Sequence, residues 1–266
     1  MKLSVSNIVW GKDNFGDFLK FLKQEGCDGI ELAPSLIWNE PIHSNKQERE
    51  SLKKQILESG LELVGFHSLL FSRPDLQLFK SQDTRKKTID YIKHLISLCS
   101  DLGGKQLIFG SPNNRLLHGK EYEKCLQQSY NDFLNIADYG YKKNIFFCIE
   151  PLGKNYTEFV LSMKEGGELV KKINHSNFRL HLDTKTIFNT KEDIDMIAKE
   201  YGNLIQHVHI SDEDLNEPGS INNGHSKIGM SLKKINYNNF LSIEMKRNTI
   251  NALKNGIKFV KNNYIS

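Results

Sequence analysis

The chain has 266 residues, a formal net charge of +4 and 38% hydrophobic residues. This apolar content supports a sizeable core and excludes a disordered chain, and the length is typical of one eight-stranded βα barrel, which needs about 250 residues. Basic and acidic residues alternate in stretches such as KQERESLKKQILE (46–58), a pattern of solvated helix faces and not of a nucleic-acid-binding stripe. We therefore expect one domain over residues 1–266 and no nucleic-acid partner.

Eight apolar runs with β-strand character alternate with helical segments along the chain. The predicted strands cover residues 3–8, 28–32, 62–68, 105–110, 145–150, 178–183, 205–211 and 240–245. The predicted helices cover 14–25, 46–59, 83–102, 119–142, 162–174, 191–201, 230–237 and 249–263. Gly26 and Gly60 each end a helix just before the next strand, where glycine is favoured. Because such alternation implies a parallel sheet, the sequence predicts an α/β fold, a single (β/α)8 TIM barrel.

The cysteines and the N-terminus bear on the cellular compartment. Four cysteines are widely separated and form no CxxC pair, which predicts free thiols in a reducing compartment: Cys27, Cys99, Cys125 and Cys148. The first residues, MKLSVSNIVW, do not have the apolar core of a signal peptide, and no apolar stretch approaches the length of a membrane span. These features predict a soluble cytoplasmic protein with no membrane partner.

Four residues close predicted strands, in the runs FFCIE, FRLHLD, IQHVH and FLSIE: Glu150, Asp183, His209 and Glu244. They are 26 to 35 residues apart, which is the length of one βα repeat. The carboxyl ends of barrel strands share one face, where active sites of such barrels lie. Any one of these residues is equally well explained as a helix cap or an ion-pair partner, but the four together predict one metal site. Three carboxylates and an imidazole suit Mn²⁺, Mg²⁺ or Co²⁺ best, with Zn²⁺ as a further option.

The runs DGIEL, IEPLGKNYTEF, LHLDTK, HVHISD, GHSKIG and LSIEMK occur in this order. With them the chain resembles the xylose isomerase-like TIM-barrel superfamily, in its branch of sugar isomerases and epimerases that includes tagatose 3-epimerase, hydroxypyruvate isomerase and inosose dehydratase. The resemblance spans most of the chain. It implies that Glu150, Asp183, His209 and Glu244 bind one divalent ion, and that Glu150 and Glu244 also act as acid and base.

Such a site implies chemistry on a small carbohydrate. Removal of a proton next to a carbonyl gives an enediolate, whose charge a metal ion stabilises as a Lewis acid. Two carboxylates on opposite sides of a sugar then produce epimerisation, whereas return of the proton to the neighbouring carbon produces aldose–ketose isomerisation. The sequence leaves both reactions open.

Further polar residues near the predicted strand ends are candidates for substrate contacts. His67 ends the third strand, and we expect it to contact metal or substrate. Glu31 ends the second strand, where it is positioned either to hydrogen-bond a substrate hydroxyl or to orient His67, and we favour the second role. His207 precedes His209 by two residues and is interpreted as a buried structural histidine. His181 precedes Asp183 in the same way, and both a substrate contact and a structural role remain open.

The polar segment NEPGSINNGHSKIG (216–229) is predicted to be a lid or a substrate-gripping loop. Within it, His225 is either a substrate contact or a solvent-exposed histidine. Because phosphate sites of barrels often use the loops after strands seven and eight, Lys227, Lys246 and Arg247 are candidate phosphate contacts. Lys246 is thereby a candidate substrate-binding residue.

Two positions depart from the pattern of ketose 3-epimerases. Those enzymes typically carry a histidine three residues after the sixth-strand aspartate and an arginine six residues after the seventh-strand histidine. Here these places hold Thr186 and Leu215, and we expect Lys185 to replace part of the lost substrate contact. The substrate grip is therefore expected to differ from that of the ketose 3-epimerases.

Three other functions are weighed against an isomerase or epimerase. An inosose dehydratase-type lyase begins with the same proton removal. An endonuclease IV-like DNA-repair enzyme is disfavoured, because Thr186 replaces a histidine of its three-zinc site. The third is a catalytically silent barrel that binds a carbohydrate or another protein. A homo-oligomer is expected from the relatives, although no residue predicts its interface.

Overall fold

A computed structural model describes residues 1–11, 14–221 and 223–266. Eight parallel strands close into a barrel in the order of the sequence. They are β1 Lys2–Ser6, β2 Gly29–Leu32, β3 Glu62–Phe66, β4 Gln106–Phe109, β5 Phe146–Ile149, β6 Phe178–Asp183, β7 Ile205–Ile210 and β8 Phe240–Ile243. The α-helices of the described residues are α1 Phe15–Gln24, α2 Lys46–Glu58, α3 Gln82–Leu102, α4 Tyr122–Lys142, α5 Met163–Ile173, α6 Thr184–Thr190, α7 Ile194–Tyr201, α8 His225–Lys234 and α9 Ile250–Val260. This architecture confirms the predicted TIM barrel.

An aromatic cluster joins β4, β5 and β6 to α4. Phe133 of α4 stacks on Phe178 of β6 with ring centroids 5.3 Å apart, and it contacts Phe147 at 5.8 Å and Phe109 at 6.0 Å. All four rings are fully buried. Aromatic pairs at these distances add stabilisation beyond their buried area. This packing holds in place the strands that precede Glu150 and end at Asp183.

The structure corrects two predicted helix boundaries. The helix predicted over 191–201 occurs as α7, Ile194–Tyr201, and an additional helix, α6, precedes it. α6 starts directly after β6 and ends at Thr190, before Lys191, which adopts a left-handed conformation. Where a helix over 230–237 was predicted, α8 already begins at His225. The predicted loop therefore ends at Gly224, and within it Asn222 lies outside the described residues.

Two further features concern the compartment. The four cysteines are buried free thiols, as predicted. Among the described helices, none combines the length and the apolar character needed to cross a bilayer.

Candidate metal centre

The four predicted ligands come together at the carboxyl ends of β5 to β8. Asp183 is the last residue of β6 and His209 lies near the end of β7, paired with it in register. Glu150 and Glu244 directly follow β5 and β8. Each residue offers one ligand atom, and these atoms all lie within 4.8 Å of one another in a buried cluster. We call this cluster of Glu150, Asp183, His209 and Glu244 the cage.

The donor atoms of the cage fit a divalent metal ion. The Nε2 atom of His209 lies 2.9 Å from Glu31 Oε2. The other ring nitrogen of His209, Nδ1, lies 3.3 Å from Glu244 Oε2. Both Nδ1 and Oε2 are buried, and neither has a hydrogen-bond partner among the described residues, so both are available to a metal ion. A carboxylate behind the second nitrogen is usual for a metal-binding histidine, and a cation relieves the repulsion between three buried carboxylates. The residues therefore suit one hard or borderline divalent cation.

Glu31 supports two histidines of the barrel interior. Besides its contact with His209, its other oxygen lies 3.2 Å from His207 Nε2, and all three side chains are fully buried. Glu31 thus forms a hydrogen bond with His209 and closely approaches His207, whereas the sequence led us to expect contact with His67. Glu31 fixes the ring orientation of the histidine in the cage.

The carboxylate of Glu244 is held by two imidazoles. The Oε1 atom lies 3.0 Å from His67 Nδ1, whose Nε2 lies 2.5 Å from the hydroxyl of Ser6. Burial alone would raise the pKa of Glu244, but the charge of His209, its close approach to Oε2 and the hydrogen bond with His67 hold this pKa well below its usual range. Glu244 therefore favours its ionised form.

Glu150 has a different environment. Burial, reinforced by the negative charge of Glu244, raises the pKa of Glu150 to about 8. Its backbone carbonyl accepts a hydrogen bond from Arg115, a fully buried residue that follows β4, at 2.7 Å. A Cβ atom at Gly110 would lie only 2.1 Å from Glu150 Oε2, so a larger residue here would displace the Glu150 carboxylate from its position. Glu150 therefore favours its protonated form at neutral pH.

Lys185 places a cation beside the cage. Its Nζ atom lies 2.9 Å from Asp183 Oδ2 and 4.0 Å from Glu244 Oε2, and its side chain is 10% exposed. Burial lowers the pKa of this ammonium, but the charge of Asp183, followed by those of Glu244 and Glu150, outweighs burial and raises the pKa above its ordinary value. Lys185 is therefore charged at the edge of the cage.

His181 lies directly beside the cage histidine. Its ring centroid is 4.2 Å from that of His209, and neither of its nitrogens has a hydrogen-bond partner among the described residues. Burial, together with the neighbouring histidines His209 and His207, holds the pKa of His181 well below its usual value, so the ring is neutral. Both roles considered for His181 remain compatible with this position.

His225 belongs to a separate buried cluster. It is the first residue of α8, where its Nε2 lies 3.0 Å from Asp212 Oδ1 and its Nδ1 lies 2.6 Å from the hydroxyl of Tyr264. His225 is therefore not the solvent-exposed loop histidine considered above. Both ring nitrogens are engaged in tying the segment after β7 to the C-terminal turn, so His225 is not brought together with the cage.

The three candidate phosphate contacts lie on the surface. Lys227 is on α8, and its ammonium lies 2.8 Å from Asp193 and 3.6 Å from Asp195. Lys246 and Arg247 follow Glu244 and are exposed. The structure does not bring these three side chains together in one site.

Sequence reasoning missed Ser6, Gly110 and Arg115, which shape the surroundings of the two glutamates. A signal exists for Ser6, because Ser4 and Ser6 alternate with the apolar Leu3 and Val5 and so share the opposite face of the strand. A signal also exists for Gly110, because a glycine at a strand end indicates a close approach of another group. No local pattern indicates that Arg115 reaches the backbone of Glu150.

Comparison with known proteins identifies the family. The sequence profile of the xylose isomerase-like TIM barrel family matches residues 19–263, and the chain belongs to this family, which confirms the resemblance seen in the sequence. A probable ketose 3-epimerase of Synechocystis sp. is 23% identical over 263 residues, covering 97% of this chain and 88% of the relative. A D-psicose 3-epimerase of Ruminiclostridium cellulolyticum is 23% identical over 257 residues, covering 92% and 83%. The crystal structure of a D-psicose 3-epimerase in the presence of D-fructose shares the fold, with a TM-score of 0.83 and 18% identity over 99% of both chains.

Proposed function

We propose that the protein is a metal-dependent epimerase or isomerase of a ketose or a related polyhydroxy carbonyl compound, in free or phosphorylated form. The observation that carries the proposal is the cage, in which two buried glutamates of opposite protonation preference lie within reach of one cation site. The similarity to ketose 3-epimerases along most of the chain supports this class of reaction. A single domain over residues 1–266 and a cytoplasmic location are part of the proposal.

Glu150, Asp183, His209 and Glu244 would hold one divalent ion, for which Mn²⁺, Mg²⁺ and Co²⁺ are the best candidates. Such an ion supplies Lewis-acid stabilisation of negative charge on substrate oxygens. Asp183 and His209 serve the cage as ligands only. His209 is oriented for this purpose by Glu31 at 2.9 Å.

The two glutamates move the proton. Glu244, kept ionised by His209 and His67, removes a proton from the carbon next to the carbonyl. Glu150, whose pKa is raised to about 8, carries its own proton at neutral pH and donates it to the same carbon from the opposite side, while the removed proton stays on Glu244. In the reverse reaction the roles are exchanged. Two groups with pKa values pushed apart are the usual signature of an acid and a base in one site.

Substrate binding is proposed for the polar side chains nearest the cage. Lys185 and His181 lie against it, through contacts with Asp183 and His209 respectively. His67 acts through Glu244, which it contacts at 3.0 Å. The Tyr156 ring lies 5.9 Å from the Lys185 ammonium and is a further candidate for contact with the substrate.

A dehydratase of the inosose type is the second candidate, and one observation favours it. The hydroxyl of Thr186 donates a hydrogen bond to the carbonyl of Pro151 at 2.8 Å. Thr186 therefore does not offer the substrate the contact that a histidine gives ketose 3-epimerases at this place. A changed substrate grip beside the same proton-transfer pair suits a substrate other than a ketose, including that of a lyase that begins with the same proton removal.

The decisive experiment is incubation of the protein and MnCl₂ with ketoses, aldoses, inososes and their phosphates in D₂O, followed by NMR. Deuterium at the carbon next to the carbonyl together with a new epimer establishes an epimerase, and an aldose–ketose pair establishes an isomerase. Loss of water establishes a dehydratase. Absence of exchange with every compound would contradict the proposed chemistry.

A further inference from the structure

Lys185 binds both oxygens of one cage carboxylate. Its ammonium lies 2.9 Å from Asp183 Oδ2, and its backbone N–H donates a hydrogen bond to Asp183 Oδ1 at 2.9 Å. The second contact caps the N-terminus of α6, so helix geometry fixes where the lysine stem begins. The same ammonium lies 4.0 Å from Glu244 Oε2. One lysine thus contacts two of the four predicted ligands.

The Lys185 ammonium compensates negative charge in the cage. Asp183 and Glu244 are the two cage carboxylates beside Lys185, and its ammonium compensates part of their negative charge when no metal ion is bound. Its side chain is 10% exposed and that of Asp183 is fully buried, so salt screens this pair far less than a surface pair. An uncompensated buried carboxylate is costly, so a neighbouring cation stabilises the cage.

We infer that Lys185 is a resident counter-cation of the cage, which stabilises the carboxylates and at the same time weakens the binding of the divalent ion. The weakening follows from Coulomb repulsion between two cations that share Asp183 and Glu244 as partners. The inference rests on the proposed metal centre. It assigns Lys185 a role in setting metal affinity, beyond contact with the substrate.

An ordinary surface ion pair serves as a comparison within the same chain. Lys227 on α8 also contacts two carboxylates, those of Asp193 and Asp195, at 2.8 Å and 3.6 Å. Its side chain is 53% exposed, and it shows no contact with the cage. Removal of Lys227 therefore changes the net charge by the same amount without touching the cage.

The test is calorimetric titration of the purified full chain with MnCl₂ after removal of divalent ions by chelation. Lys185→Met and Lys185→Gln remove the charge, and both are expected to bind Mn²⁺ on the order of tenfold more tightly than the original chain. Lys185→Arg keeps the charge and is expected to stay within about twofold of the original affinity. Lys227→Met is the matched control and is expected to leave the affinity unchanged.

Thermal unfolding gives a second readout that requires no substrate. In EDTA, Lys185→Met is expected to melt at a lower temperature than the original chain, because the buried carboxylates of Asp183 and Glu244 then lose their neighbouring cation. Added MnCl₂ is expected to raise its melting temperature by more than it raises that of the original chain, since tighter binding stabilises more. Refolding of an EDTA-unfolded variant on addition of MnCl₂ supports the inference equally.

Results contrary to these expectations distinguish a failure of the inference about Lys185 from a failure of the proposed metal centre. Equal Mn²⁺ affinity of the original chain, Lys185→Met and Lys185→Gln would overturn the inference and leave the metal centre intact. Absence of Mn²⁺ binding by every protein would overturn the metal centre and the inference with it. If neither uncharged variant folded even with MnCl₂, the divalent ion would be unable to take over the charge compensation, which would also overturn the inference.

Discussion

The two glutamates of the cage occupy equivalent positions but have opposite surroundings. Glu150 directly follows β5 and Glu244 directly follows β8. Glu244 is contacted by two imidazoles and lies 4.0 Å from an ammonium, whereas Glu150 Oε2 occupies the space that a Cβ atom at Gly110 would fill. Barrel topology sets the positions of the two carboxylates, and their neighbouring side chains set which of them is protonated. Two glutamates at equivalent positions of a pseudo-symmetric fold thus become an acid and a base because their neighbours differ.

Removal of either carboxylate is expected to have the largest effect. Glu150→Gln and Glu244→Gln each keep the shape of the side chain but cannot exchange a proton, so turnover of the identified substrate is expected to fall about a thousandfold or more. Initial rates for both variants, with circular dichroism for folding, provide the measurement. Glu62→Gln, at the start of β3 and exposed, is the control. Full activity in either cage variant would refute the acid–base assignment.

A methyl group at Gly110 probes the Glu150 side alone. The added Cβ would lie 2.1 Å from Glu150 Oε2, so Gly110→Ala is expected to displace the carboxylate and reduce turnover about a hundredfold. Gly16→Ala is the control, because there the nearest atom lies at an ordinary 3.4 Å. Turnover of Gly110→Ala equal to that of the control would show that the position of Glu150 is not critical.

Loss of the imidazole at residue 67 probes the Glu244 side. His67→Leu removes the contact with Glu244 Oε1 at 3.0 Å, and kcat is expected to fall about tenfold to a hundredfold while KM changes little. His67→Asn retains an N–H donor and is expected to recover part of this loss. His94→Leu on the exposed face of α3 is the control. A change in KM alone would instead indicate a direct contact between His67 and substrate.

The protonation preference of Glu150 predicts a smaller effect on stability. Because the pKa of Glu150 is about 8 in the folded chain and near 4.5 when unfolded, the folded state holds an extra proton between these values. Its stabilising contribution is therefore complete below about pH 4.5 and is lost as the pH rises through about 8. Melting temperatures in EDTA are expected to fall over this interval more steeply in the original chain than in Glu150→Gln. Parallel profiles would contradict the raised pKa.

Much of the fold and of the cage was predictable from the sequence, because both follow from periodic patterns. Apolar runs ending in Glu150, Asp183, His209 and Glu244 locate the strand ends, and barrel closure brings them together. The start of α6 was missed because it depends on a cap by Asp183, a residue that also ends a strand. The partner of Glu31 was missed because side-chain contacts inside a barrel depend on the stagger between strands.

One measurement tests the central claim of metal-dependent proton transfer at the cage. The protein is freed of divalent ions by chelation, and deuterium exchange into its substrate is followed by NMR in D₂O while MnCl₂ is added stepwise. We expect no exchange at the start and a rise that saturates at one equivalent of Mn²⁺ per chain. Undiminished exchange in the metal-free protein, or saturation only at three equivalents, would contradict a mononuclear cage.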